Sequence, residues 1–119
     1  MALRPAPKLN RGLSRINWSR DARDIVNLIR GLSPYPCAHT TFTFEEQELG
    51  VKIFEAFVRE MGQENEDWGT ITSDGKSWLE IKCGTGSVRL LNLQIAGKKR
   101  LYISDFLKGF REPEKYRAK

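Results

Sequence analysis

Side chains able to do covalent chemistry are few in this sequence. His39 is the single histidine among 119 residues, and the two cysteines are Cys37 and Cys83. Cys37 and His39 stand two residues apart, which on a strand points both to one face, so a thiol–imidazole pair is geometrically open. The plainer reading is a small, half-buried thiol beside a partly exposed ring. Two cysteines and one histidine fall short of the four ligands of a structural zinc site, and no C-x-x-C pair anchors one, so no metal is expected. The acidic residues between Glu45 and Asp67 run together without the apolar neighbours that raise a carboxyl pKa, which predicts a solvated face. Gly84-Thr85-Gly86 lacks the third glycine and the following helix of a dinucleotide loop. Gly97-Lys98-Lys99 lacks the upstream glycine of a P-loop, so neither is a nucleotide site.

The basic residues are the stronger lead. The net charge of +5 conceals a segregation: residues 1–30 hold seven Lys or Arg against two Asp or Glu, residues 31–67 hold two against eight, and residues 98–119 hold eight against three. Basic ends and an acidic middle are what a fold needs if the two ends meet on one side to make a positive face. Lys98, Lys99 and Arg100 form one basic run, and Lys8, Arg11, Arg15, Arg20, Arg23 and Arg30 form a second set around the first predicted helix. Such residues neutralise phosphates without demanding geometry, although the same run could equally be a solvated loop.

The elements that must position these residues are readable from periodicity. Residues 1–13, with Pro5, Pro7 and Gly12, predict a linker or tail, and residues 112–119 a C-terminal tail. Ser19 stands where an N-cap should, Asp21 adds a carboxylate to the first turn, and Ile25, Leu28, Ile29 and Leu32 follow at helical spacing; Pro34 and Pro36 then forbid continuation. Strands are predicted over Ala38 to Phe44, from Val51 through Val58, over Gly69 to Ser73, over Ser77 to Cys83 and over Ser87 to Ile95. The alternation slips between Ile53 and Ala56, the signature of a bulge. Gly62 to Asp67 predicts an exposed loop, and Asp74-Gly75 and Gly84-Thr85-Gly86 mark reversals. A last short helix is predicted from near Ser104, with Phe106, Leu107 and Phe110 as its apolar face. Helix, five strands, helix within one domain, residues 14–111, predicts a mainly β fold with two short flanking helices, an OB-like five-stranded β-barrel. No apolar run is long enough to span a bilayer and no signal-peptide pattern opens the chain, so a cytoplasmic, membrane-free protein is expected.

Two blocks carry a family resemblance. INWSRDARDIVNLIRGLSPYPCAHT, followed about 40 residues on by LLNLQIAGKKRLYISDFLKGFR, resembles the C-terminal domain of methionyl-tRNA formyltransferases over roughly residues 6 to 111. The resemblance implies a barrel joined by a linker to an N-terminal formyltransferase domain of Rossmann type, which takes its formyl group from 10-formyltetrahydrofolate. It also implies initiator methionyl-tRNA as the partner of the barrel's positive surface, in bacterial-type translation initiation. The family's catalytic Asn, His and Asp and its Ser-Leu-Leu-Pro loop belong to that other domain and have no counterpart here, so no catalytic residue and no cofactor site are expected in this chain. The family's Pro-Gly before the third strand stands here as Trp68-Gly69.

Two functional readings follow. In the first, Lys98, Lys99, Arg100 and the N-terminal basic set contact tRNA phosphates largely without reading bases. In the second, the barrel is a structural domain of a formyltransferase acting on a nucleotide sugar or folate, with no tRNA role; the LQIAGKKR block argues against it. Trp18 and Trp78 are expected to pack in the core or at a hinge, leaving Trp68, in a polar loop, as the ring with a prospect of exposure.

Overall fold

In a computed structural model the described residues are 15–33, 37–110 and 112–119. Lys8, Arg11, Pro34 and Pro36 lie outside them. Helix α1 spans Ala22–Leu32. Its buried side is Ala22, Ile25, Val26 and Ile29, with Leu28 and Leu32 packed at the margin of the core. Ser19 is not its cap, contrary to the sequence expectation. Asp21 is, with extended backbone and a side chain that accepts from Arg23 N at 2.9 Å. A carboxylate at this position both satisfies an orphan N–H and complements the helix dipole.

The rest of the chain is dominated by β-structure. Strands β1 (Ala38–Phe44), β2 (Gln47–Glu64), β3 (Ile71–Ser73), β4 (Leu79–Lys82) and β5 (Thr85–Ile95) answer the five predicted. Two short strands were not foreseen, β6 (Arg100–Tyr102) and β7 (Arg117–Ala118). Between them lie helix α2 (Ile103–Gly109) and a 3-10 turn at Pro113–Lys115. The strands form one sheet in the order β3-β4-β5-β2-β1-β7, with β6 added on β5. Mainly β with two short helices, the fold is barrel-like, as the sequence implied.

Strand β2 is the spine of the sheet. It pairs along its first part with β1 and along nearly its whole length with β5. Its register against β5 shifts at Ile53/Glu55 and again at Glu55/Ala56, where the slip in hydrophobic alternation lay. An extra residue on each strand bends and twists the pair, which is how so long a strand follows a barrel wall. The acidic segment is correspondingly shorter as a loop than expected, because β2 continues to Glu64.

Residues 112–119 are no loose tail. They return to the barrel and close it between β1 and the approach to β3: Arg117 bridges Thr70, Ala118 N donates to Gly69 O at 2.8 Å, and Lys119 N donates to Thr41 O at 2.8 Å. Ala118 is 1% exposed, and its partner strand β1 contributes the buried Phe42. Closure removes two sheet edges at once. Gly69 is required there: its φ is +92°, and a Cβ would stand 2.5 Å from Ala118 O.

The core holds Trp18, 1% exposed, whose indole Nε1 donates to Thr40 Oγ1 at 2.8 Å; Thr40 Oγ1 donates onward to Lys119 O at 2.9 Å. One buried hydroxyl thus links the start of the fold to its last residue. Trp78 lies just before β4, not mid-strand, half-buried with the Arg89 guanidinium 4.5 Å from its ring centroid. Trp68 is 38% exposed. Helix α2 begins one residue earlier than predicted and buries Ile103, Phe106 and Leu107, while Phe110 stacks on Phe106 with centroids 4.7 Å apart.

Thr40→Val keeps the side-chain shape but orphans the Trp18 N–H in the core, so it is expected to cost about 1–3 kcal/mol in urea unfolding, more than a surface threonine change. Gly69→Ala is expected to cost about 3 kcal/mol and to loosen the C-terminus first, seen as early amide exchange at Ala118 and Lys119.

Candidate nucleic-acid interface

The β5–β6 hairpin displays the basic run. Gly97, at φ +80°, makes the reversal that a side chain would strain, and the tip is tied by Lys98 N to Ile95 O at 2.9 Å and by Gln94 Nε2 to Lys98 O at 2.7 Å. Lys98 and Lys99 are exposed on this ordered tip, and neither joins an ion pair among the described residues. Arg100 is held differently. Its guanidinium lies 4.2 Å from the centroid of the Phe54 ring, donates from Nε to Asn92 Oδ1 at 2.9 Å, and approaches Glu55 at 3.9 Å. A cation fixed by a ring and an amide is presented in one orientation and loses little entropy when it meets a phosphate.

The ladder places Arg100 in a row that sequence reasoning missed. Arg100 pairs with Gln94, Gln94 with Lys52, Lys52 with His39, and His39 with Arg15. Directly opposed residues point to the same side of a sheet. In β1 the inward positions are Ala38, Thr40 and Phe42, so His39 faces out. Arg15, Lys52 and Arg100 are all exposed. The sheet therefore joins part of the N-terminal basic set to the C-terminal run by way of Lys52, from the acidic middle of the sequence. The one signal for Lys52 was its parity between Val51 and Ile53, which puts it on the outer face.

The helix arginines are placed elsewhere. Arg20 pairs with Asp24 at 3.5 Å and sits by the Asp21–Thr85 bridge, at the opposite end of β5 from Lys98. Arg23 and Arg30 are exposed on α1. Beside that far end, an open polar cleft is lined by Ser19, Glu64, Asn65, Glu66 and Trp68. Its two carboxylates make it unsuited to an anion.

Comparison with known proteins matches the family model "Formyl transferase, C-terminal domain" to residues 8–111. The chain belongs to the formyl transferase C-terminal domain family. It is 41% identical over 115 residues to a methionyl-tRNA formyltransferase of Parabacteroides distasonis, covering 96% of this chain and 35% of that protein. A methionyl-tRNA formyltransferase of Azobacteroides pseudotrichonymphae is 43% identical over 108 residues, 90% of this chain and 33% of that protein. The corresponding protein of Citrifermentans bemidjiense is 37% identical over 106 residues, 89% and 31% respectively. The chain thus spans about a third of the length of the curated relatives it matches.

Within this formyl transferase C-terminal domain the thiols are poor nucleophiles. Cys37 is buried, in line with the plainer sequence reading, and lies outside β1 with φ 75°, so strand alternation does not put it on one face with His39. Burial pushes its thiol pKa up, a larger effect than the opposing pull of the Lys52 and Arg100 charges. Burial, reinforced by the nearby carboxylates of Asp21 and Glu80, pushes the Cys83 thiol up to about 12. Nucleophilic cysteines need the opposite shift. Among the described residues no three His, Cys, Asp or Glu side chains cluster so as to hold a metal ion, and no helix is long and apolar enough to cross a membrane.

A thiol with a raised folded pKa stabilises the fold fully below the unfolded value, near 8.5, and loses that contribution as pH rises through the folded one. Alkaline unfolding between about pH 9 and 12 is therefore expected to be steeper in the wild-type chain than in Cys83→Ala. Thiol-specific dyes at pH 8 should label both cysteines only on unfolding, and fast native labelling of Cys83 would contradict its burial.

Proposed function

We propose that this chain is the tRNA-binding C-terminal domain of a methionyl-tRNA formyltransferase. It holds initiator methionyl-tRNA by phosphate contacts that read little or no base sequence, while the N-terminal formyltransferase domain of the same enzyme transfers a formyl group from 10-formyltetrahydrofolate. The domain itself supplies no catalytic residue and no cofactor site, and works in the cytoplasm during translation initiation. Lys98 and Lys99 are its principal phosphate contacts; Arg100, although it pairs with Glu55 at 3.9 Å, and Arg15 extend them, Arg20, Arg23 and Arg30 add positive field around the helix, and Lys8 and Arg11, outside the described residues, are further candidate contacts.

The observation that carries this reading is the ordered β5–β6 tip, whose two lysines face solvent without a carboxylate partner among the described residues. Cations already neutralised by neighbours, such as Lys82 with Asp67 at 3.0 Å, have less to offer a phosphate. The names of the relatives supply the substrate, and the charge supplies the mode of contact.

Each phosphate neutralised on a duplex contributes about 0.9 to the slope of log K against log salt, and about 0.7 on a single strand. Lys98→Ala/Lys99→Ala should lower that slope by about 1.4–1.8 and weaken initiator and elongator tRNAs alike. A double variant that binds as wild type would favour a purely structural domain.

A further inference from the structure

Outward positions of an antiparallel sheet that faces water are ordinarily polar. Around the middle of β5 they are not. Phe57, 40% exposed, stands between Ala56 and Val58, which both pack into the core, and Leu91, 42% exposed, follows the buried Leu90. Both side chains therefore point out of the barrel. Tyr102, 63% exposed, follows the core-packed Leu101 and pairs with Asn92, the residue after Leu91. Trp78 joins this face under the Arg89 guanidinium, whose strand position is directly opposite Phe57.

The charges at the centre of the face are already neutralised. Arg89 pairs across the sheet with Glu80 as well as with Phe57, and its Nε donates to Glu80 Oε1 at 3.1 Å, the two side chains being 25% and 18% exposed. A closed, partly desolvated ion pair goes under a partner without leaving a lone charge behind. Single exposed apolar residues need no explanation, but rings and a leucine gathered around an arginine have the composition of an interface core.

The extent of the patch selects its occupant. Four apolar side chains fall well short of the roughly 800 Å² per partner that stable complexes of separate chains bury. A domain on the same chain needs less, because a short flexible linker holds it at an effective concentration of about millimolar. About two-thirds of the length of the curated relatives lies outside the stretch that this chain matches. The patch also adjoins the basic hairpin, since Asn92, beside Leu91, accepts from Arg100 Nε at 2.9 Å.

We propose that this outer face of β2, β4, β5 and β6, centred on Leu91, is where the N-terminal formyltransferase domain of the same enzyme docks, with Phe57, Tyr102 and Trp78 as anchors. The proposal rests on the formyltransferase reading above and gives it a geometry. The docked face, rather than the linker alone, sets the distance between the hairpin that holds the tRNA and the domain that transfers the formyl group.

The test compares the 119-residue chain alone with the same chain grafted into the Parabacteroides distasonis methionyl-tRNA formyltransferase in place of the third that it matches. Hydroxyl-radical footprinting without tRNA reads side-chain exposure directly. Phe57, Leu91 and Tyr102 are expected to lose reactivity severalfold in the graft, while Trp68, 38% exposed at the far cleft, keeps its own. Phe57→Gln/Leu91→Gln should restore the reactivity of Tyr102 in the graft and leave the melting temperature of the free chain nearly unchanged. The same variant should lower formylation by the graft about tenfold or more, through misplacement of the two domains, with its affinity for tRNA kept. If the graft fails to fold, the remaining two-thirds of that relative, added as a separate chain at about millimolar concentration, replaces it with the same side chains read. Equal reactivity of the three side chains with and without that domain overturns the docking face, as does protection already present in the free chain and lost on dilution, which would assign the face to a second copy. Neither result touches the tRNA-binding reading, which stands or falls on the salt slope of Lys98→Ala/Lys99→Ala.

Discussion

Everything in this domain depends on how one strand of 18 residues pairs on both sides while bending. β2 meets β1 through a continuous register from Gln47 to Ile53, then parts from it and stays with β5 as far as Glu64. A straight strand of that length would leave most of its outer half without a barrel to belong to. The paired bulges around Phe54 and Leu91 supply the bend, and they do so by breaking alternation: Ile53 and Phe54 are both buried, whereas Leu91 is 42% exposed beside the buried Leu90. Phe54, rotated to the outer face by the bulge, becomes the surface on which Arg100 rests. The same irregularity that closes the wall therefore fixes a cation on it.

Closure at the other side is polar as well as apolar. β7 is only two residues long, far too short to hold by pairing alone. It is held because Gly69 lets backbone meet backbone, Thr40 receives the indole of Trp18 and passes a hydrogen bond to Lys119, and Phe44, Tyr116 and Phe110 pack ring to ring, at 5.6 and 5.0 Å between centroids. Each link is modest, and together they are cooperative because removing one leaves a buried group without its partner.

Much of this was legible beforehand. The α1 face, the five longer strands and the slip at Ile53 to Ala56 all follow from period and parity, which are local. The cap was misjudged because Ser19 and Asp21 are both good N-caps and only the path of the chain past Gly84 decides between them; Ser19 O lies so near Gly84 that a Cβ there would strike it. β6 and β7 were not legible. Arg100-Leu101-Tyr102 and Arg117-Ala118 are too short to show alternation and exist only because β5 and β1 present open edges to them. Of the basic residues, the run Lys98 to Arg100 is visible to any composition count, but Lys52 is not, since its membership of a positive row is a property of four pairings across residues 15 to 100.

That contrast bears on how charge is used here. The linear segregation of charge suggests basic ends converging from an acidic middle, yet the folded row takes a cation from that middle and leaves Arg20 at the far end of β5, paired with Asp24. What the fold selects is parity and exposure, not position along the chain: the outward residues at one level of four neighbouring strands or segments are Arg, His, Lys and Arg, with one Gln between. Glu48 lies two levels from Lys52 on the same face, about 13 Å along β2, and the Glu55 carboxylate lies 3.9 Å from Arg100. Glu55 lies well inside one Debye length of Arg100, roughly 8 Å at physiological salt, whereas Glu48 stands beyond it from Lys52, so carboxylate charge reaches the row more strongly at Arg100 than at Lys52. A fold that selects by parity thus sets carboxylates beside its cations as readily as apart from them, so the charge of this face cannot be read from any one stretch of the sequence.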